Sequence, residues 1–131
     1  MTDRKARTNH SSGSHFEAQY GYSRAVSIGE MIFVSGTVGM DYAKAELAEG
    51  ASAQVEQIAA NMGTALAMAD AKLSDIVQIC TYIDSPDLMA EVGAALGRVF
   101  GDIRPTNTVV VVSFPAPGVL IEISAIAVRS E

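Results

Sequence analysis

Tryptophan is absent from this 131-residue chain, cysteine occurs once and proline four times. With Cys80 as the single cysteine, an intrachain disulfide and a thiolate metal cluster are both excluded, which agrees with a reducing compartment. Although 49% of the residues are hydrophobic, no run approaches the roughly 18 continuous apolar residues of a membrane span, so no membrane is expected as a partner. Basic residues are few too: nine Lys and Arg against fifteen Asp and Glu leave a net charge of −6. Apart from Arg4, Lys5 and Arg7 the cations are scattered, and phosphate neutralisation needs them clustered, so nucleic acid is not an expected partner. The basic opening is followed by polar Asn9–His15 rather than the apolar core of a secretory signal, and a cytoplasmic location is the expectation. His10 and His15 have no ligand set around them, so neither a metal nor a cofactor is expected. Cys80, in mid-strand with no histidine near it in sequence, reads as a small buried hydrophobe rather than a nucleophile.

The length suits one domain. Residues 1–18 are polar and aperiodic and read as a flexible arm, with a single domain over 19–131. Arg24–Ile28 and Met31–Gly36, joined by Gly29-Glu30, read as a hairpin. After a loop over 41–50, Val55, Ile58, Met62, Leu66, Ala69 and Leu73 recur at helical spacing, with Gln54, Gln57 and Asn61 opposite and Ser52 as a candidate cap. Asp75–Ile83 is rich in β-branched residues and reads as a strand. Ser85-Pro86-Asp87 then carries the signature of a helix start, and Leu88, Val92, Ala95, Leu96 and Val99 form the stripe of a second helix. Two further strands are expected over 106–113 and 119–128. The order ββαβαββ gives an α+β fold with two helices on one face of a mixed sheet.

The last two strands are apolar at odd and even positions alike, so both of their faces seek cover. Two helices cover one face, and another copy of the same surface in a closed oligomer is the simplest cover for the other.

Gly21-Tyr22-Ser23-Arg24-Ala25-Val26, Phe33-Val34-Ser35-Gly36, Arg104–Val112 and Pro117–Ile123 occur together and in order. In this the chain, from about Ser11 to Val128, resembles the Rid family, also called YjgF-like and labelled L-PSP endoribonucleases. The resemblance implies a chorismate-mutase-like fold, a homotrimer with its sheets around a central barrel, and ligand pockets at the subunit interfaces. It implies, too, the family's reaction, hydrolysis of 2-imino or enamino acids to 2-keto acids and ammonia. In that reaction an arginine grips the substrate carboxylate, while a glutamate, a tyrosine and backbone groups position water and substrate.

Carried over residue by residue, Tyr22 matches the pocket tyrosine, Ser35 and Gly36 the Ser-Gly that approaches the ligand, and Glu122 the glutamate. A carboxylate among Leu120, Ile121, Ile123 and Ala125 is costly to ionise without a partner, which suits acid or base work near neutral pH. A salt bridge from Glu122 to Arg104 or Arg24 is the structural alternative. Asn107 stands at the family's arginine position, and a short neutral amide replaces a charged two-pronged fork there. Arg104 lies three residues earlier, on the opposite face if the chain is extended, and substitutes only if the loop bends it inward. Gly93 stands near where active members carry an asparagine. A divergent small-molecule-binding protein or hydrolase is therefore expected, with weak or absent turnover of ordinary 2-iminoacids. The alternatives are a 2-iminobutanoate/2-iminopropanoate deaminase and a non-catalytic trimer that senses a ligand or binds a protein.

Overall fold

Strand β8 (Ile121–Val128) runs up the middle of a six-stranded sheet because its odd positions are apolar and can be sealed beneath helices. Ile121, Ile123, Ala125 and Ala127 are buried, whereas Glu122, Ser124, Ile126 and Val128 turn to the other side. The computed structural model describes residues 6–130. In spatial order the sheet is β1 (Arg7–His10), β2 (Ala25–Ile28), β3 (Met31–Val38), β8, β6 (Ile76–Ile83) and β7 (Thr106–Val111). Only the β6–β7 pair is parallel, as the intervening helix requires. Gly29, at φ 59, makes the two-residue turn that closes the β2–β3 hairpin.

Helices α2 (Ala51–Met68) and α3 (Met89–Phe100) cover one face of the sheet. Val55, Ile58, Met62 and Leu66 of α2 and Val92, Ala95, Leu96 and Phe100 of α3 join Ile32, Ile79, Ile83, Ile121 and Ile123 in one core. The expected ββαβαββ order is present as β2, β3, α2, β6, α3, β7 and β8.

Four features differ from the sequence reading. Of the expected arm over residues 1–18, residues 1–5 lie outside the described residues, while Arg7–His10 pair with β2 and His15–Tyr20 form a short helix α1. Backbone pairing alone makes β1, so its polar side chains carry no alternation to read. The loop over 41–50 contains a small hairpin, β4 (Met40–Asp41) with β5 (Glu46–Leu47). Helix α2 starts after Gly50 without a side-chain cap, so Ser52 lies within the helix. Gln54, read as a polar-face residue, is 1% exposed. Its amide donates to the carbonyls of Ala48 and Gly118 and accepts from the Leu120 N–H, so satisfied backbone groups permit its burial.

The sheet face away from the helices is apolar and uncovered in the single chain. Phe33 faces Ile126, Met31 faces Val128, and Ile28 faces Met31 across the ladders. Ile28, Met31, Phe33, Val110 and Val128 are all exposed.

Candidate functional site

At one end of that uncovered face, Tyr22, Arg24, Gly36 and Glu122 line a cavity of about 270 Å³, walled further by Phe16 and Tyr42. Each part has a local cause. Helix α1 ends at Gly21 in the left-handed conformation, φ 74, and the Gly21 and Tyr22 N–H groups both close on the Glu17 carbonyl, which fixes where Tyr22 leaves the helix. The β3–β8 register shifts between Val34 and Thr37, so Ser35-Gly36 form an irregularity in the ladder. A Cβ on Gly36 would stand 2.8 Å from Glu122 Oε1, so only glycine lets this carboxyl lie against the strand.

Burial raises the pKa of Glu122 above the usual carboxylate range, against the pull of the nearby Arg24 charge. Glu17 is almost fully buried, and its environment acts the other way. Burial opposes its charge, but the Ser12 and Ser11 hydroxyls, the Ser12 N–H and the Arg24 charge together hold its carboxyl below the ordinary range. The Ser12 N–H reaches Glu17 Oε1 at 3.2 Å, and the Ser12 hydroxyl donates to Oε2. Arg24 therefore lies in the field of two carboxyls with different protonation preferences. Its Nη2 donates to the Gly36 carbonyl at 2.7 Å, while Nε is buried with no hydrogen-bond partner among the described residues. No ion pair joins Arg24 or Arg104 to Glu122 among the described residues.

The other sequence candidates lie apart. The Ser35 hydroxyl donates to the Ser23 carbonyl at 2.6 Å, and Ser35 lines a separate depression of about 600 Å³ that shares only the Tyr22 and Glu17 walls with the cavity. Asn107 and Arg104 line a groove of about 500 Å³ with Ile79, Leu96 and Phe100, on the helix side of the sheet. Buried Thr81 donates to Asn107 Oδ1 at 2.9 Å. Arg104 does not sit on the face opposite Asn107, as extended backbone would require. It follows the α3 terminus with φ 55, its N–H bonded to the Phe100 carbonyl, and this left-handed turn brings it into the same groove. Gly93 lies in α3 against Met89, away from both depressions.

Phe16, Glu17 and Tyr42 were missed as site residues. Glu17 and Phe16 fall in the segment read as an arm, and Tyr42 in a loop; the signal available in the sequence was the closely spaced aromatic run Phe16, Tyr20 and Tyr22 beside Glu17. Cys80 is half-buried on the uncovered face, opposite Ser124. His10 Nε2 lies 3.0 Å from the Ser27 hydroxyl. Among the described residues no three His, Cys, Asp or Glu side chains converge as a metal site, and no helix is long and apolar enough to cross a membrane.

The family model for endoribonuclease L-PSP matches residues 12–129. A RutC family protein of Pyrococcus abyssi is 31% identical over 109 residues, 82% of this chain and 86% of its own length. A solved structure of a YjgF/YER057c/UK114 family member from Mycobacterium tuberculosis superposes with a TM-score of 0.84 at 39% identity, covering 94% of this chain and 99% of that one. A protein of Dermatophagoides farinae named 2-iminobutanoate/2-iminopropanoate deaminase is 26% identical over 82% of this chain and 84% of its own. With the α+β fold, the ordered motifs and these matches in agreement, the chain belongs to the Rid, or YjgF-like, family.

Proposed function

We propose that this is a divergent Rid-family small-molecule protein whose cavity suits hydrolysis of an imine or enamine, with weak or absent turnover of ordinary 2-iminoacids. One observation carries the reading: Tyr22, Gly36 and Glu122 share a cavity, while the position of the family arginine holds an asparagine bonded to Thr81. Glu122 is suited to a proton-carrying role because its raised pKa keeps a larger protonated fraction near neutral pH than an exposed glutamate has. Protonated, it donates to the imine nitrogen; as a carboxylate, it takes a proton from the water that attacks the C=N carbon. The resulting carbinolamine collapses to a carbonyl and ammonia, so one water is consumed for each C=N bond. Tyr22 supplies a hydroxyl and a ring face to position the substrate.

The uncovered apolar face suits a homotrimer that buries it and brings an Asn107 groove from one copy towards a Glu122 cavity of another. The ligand pocket then lies at a subunit interface. Soluble, cytoplasmic operation on small metabolites follows from the same reading. A second reading, a non-catalytic trimer that senses a ligand, draws on the same Thr81–Asn107 bond, since the family's anion grip is missing there. Ordinary 2-iminobutanoate/2-iminopropanoate deaminase activity is the remaining alternative. Hydrolysis of freshly generated 2-iminobutanoate by the native chain and by Asn107→Arg separates the three. A gain only in the variant supports the proposal, robust native turnover establishes the deaminase, and inactivity of both towards this and other imines leaves the sensor.

A further inference from the structure

We infer that Arg24 is the anion anchor of the Glu122 cavity and that its ligand is a small planar aromatic carboxylate, its ring held by Tyr22 and Tyr42. The inference deepens the function proposed above and rests on the same cavity. Three aromatic side chains line about 270 Å³, a volume just below the roughly 300–1,000 Å³ common for drug-sized ligands, so the occupant is small. Phe16 already packs against His15 and Tyr20, with ring centroids 4.3 Å and 6.0 Å away, whereas Tyr22 and Tyr42 are 44% and 62% exposed in the single chain and present open faces to a guest. The remaining apolar lining, Val38 and Met40, extends the same wall. Ring-to-ring contact favours an aromatic guest over an aliphatic one of equal size, because offset stacking adds to simple area burial.

The anionic end follows from Arg24. Of the charged groups that line the cavity, Glu17 has its oxygens committed to Ser12, and Glu122 resists ionisation because it is half-buried. The guanidinium is thus the one cation on the wall among the described residues, and no carboxylate of those residues lies within ion-pair distance of it. One of its nitrogens is tied to the Gly36 carbonyl, which aims the group at the strand irregularity beside Glu122. The buried Nε–H has no partner among the described residues, so the single chain leaves this donor unsatisfied. A ligand carboxylate on the outer guanidinium edge adds a charged hydrogen bond, and a small shift of the side chain lets Nε join it in the fork that carboxylates match. This gives the chain an anion grip on the same wall as Tyr22 and Glu122, at a place unrelated to position 107.

Equilibrium binding to the full chain tests this with three probes of similar size: benzoate, cyclohexanecarboxylate and benzyl alcohol, measured by calorimetry. Benzoate is expected to bind at least about tenfold more tightly than either of the others, since it alone has both ring and charge. Arg24→Gln is expected to weaken benzoate by about tenfold or more with benzyl alcohol unchanged, and Arg24→Lys to restore part of the loss. Equal affinities for the three probes, or unchanged benzoate binding in Arg24→Gln, overturn the inference. If Arg24→Gln does not fold, the native probe series and Arg24→Lys still decide it. Binding is read without turnover, so benzoate selectivity in a protein inert towards every imine sinks the hydrolase while the anchor stands; imine turnover without that selectivity does the reverse.

Discussion

The Glu122 cavity and the Asn107 groove lie at opposite faces of one sheet, and they are built to different standards. Around the cavity, buried or half-buried side chains are tied to neighbouring groups: Glu17 to the Ser12 hydroxyl, Arg24 to the Gly36 carbonyl and Thr37 to the Ser35 carbonyl. Along β7, Thr106, Asn107, Thr108, Val110 and Val111 are all exposed, and the Thr81 hydroxyl is the main hold on Asn107. In the first region the held side chains are themselves buried or half-buried, so a change there disturbs packing as well as a bond. Asn107 is exposed, so a change there costs little packing, and its effect falls on the one buried group it serves, the Thr81 hydroxyl. That difference makes position 107 the easier of the two to vary, whereas Gly36 is held to glycine by its contact with Glu122.

If the cavity holds the chemistry, the largest effect belongs to Glu122. Glu122→Gln is expected to reduce turnover of any imine that the chain accepts by roughly 10²–10⁴-fold, the range of a lost general acid or base, while leaving the fold intact. Steady-state kinetics beside a circular dichroism spectrum check it. An unchanged rate would break the comparison, because both regions would then be dispensable. The stability signature is independent of turnover. The folded pKa of Glu122 lies above its unfolded value, so its protonated form favours the folded state, and that contribution fades as pH rises through the raised value. Glu122→Gln should therefore remove a decline in stability that starts as pH passes the ordinary glutamate value and ends once it has passed the raised one.

Next in size is the support beneath the cavity. Glu17→Ala removes the acceptor of the Ser12 N–H and hydroxyl and is expected to cost about 1–3 kcal/mol, measured by urea unfolding. Its pH dependence has the opposite sign: the folded pKa is depressed, so the stabilisation is present above the unfolded value and is lost as pH falls through the folded one. A plot of the native minus Glu17→Ala stability against pH should shrink on the acid side.

How much of this was legible follows the same division. The seven core elements were readable because their apolar residues alternate or recur at helical spacing, as Ile121, Ile123 and Ala125 do in β8. The pairing of Tyr22, Gly36 and Glu122 was legible only through the family resemblance, since 100 residues of sequence separate Tyr22 from Glu122. Gln54 misled because its amide serves, besides nearby Ala48, the backbone of Gly118 and Leu120 from a distant segment, which no local pattern displays. Arg104 misled because its face depends on one left-handed dihedral rather than on strand alternation. Glu17 was hidden in a segment whose order comes from β1 pairing with β2 and from capping by Ser14.

The smallest effect is the sharpest test of the groove. Thr81 is fully buried, and its hydroxyl donates to Asn107 Oδ1. Arginine has donors only, so Asn107→Arg deprives that hydroxyl of its acceptor, a loss of about 1–2 kcal/mol. Thr81→Val alone is expected to be nearly neutral, within about 1 kcal/mol, because valine fills the same space and the exposed amide turns to water. Introduced together with Asn107→Arg, Thr81→Val should recover most of the loss, since no buried hydroxyl remains to satisfy. A double-mutant cycle by urea unfolding measures that coupling. A coupling near zero would mean that Thr81 finds another acceptor and that Asn107 is not fixed by it. A favourable coupling makes the asparagine and Thr81 a matched pair, and it predicts that restoring the arginine works best when both positions change.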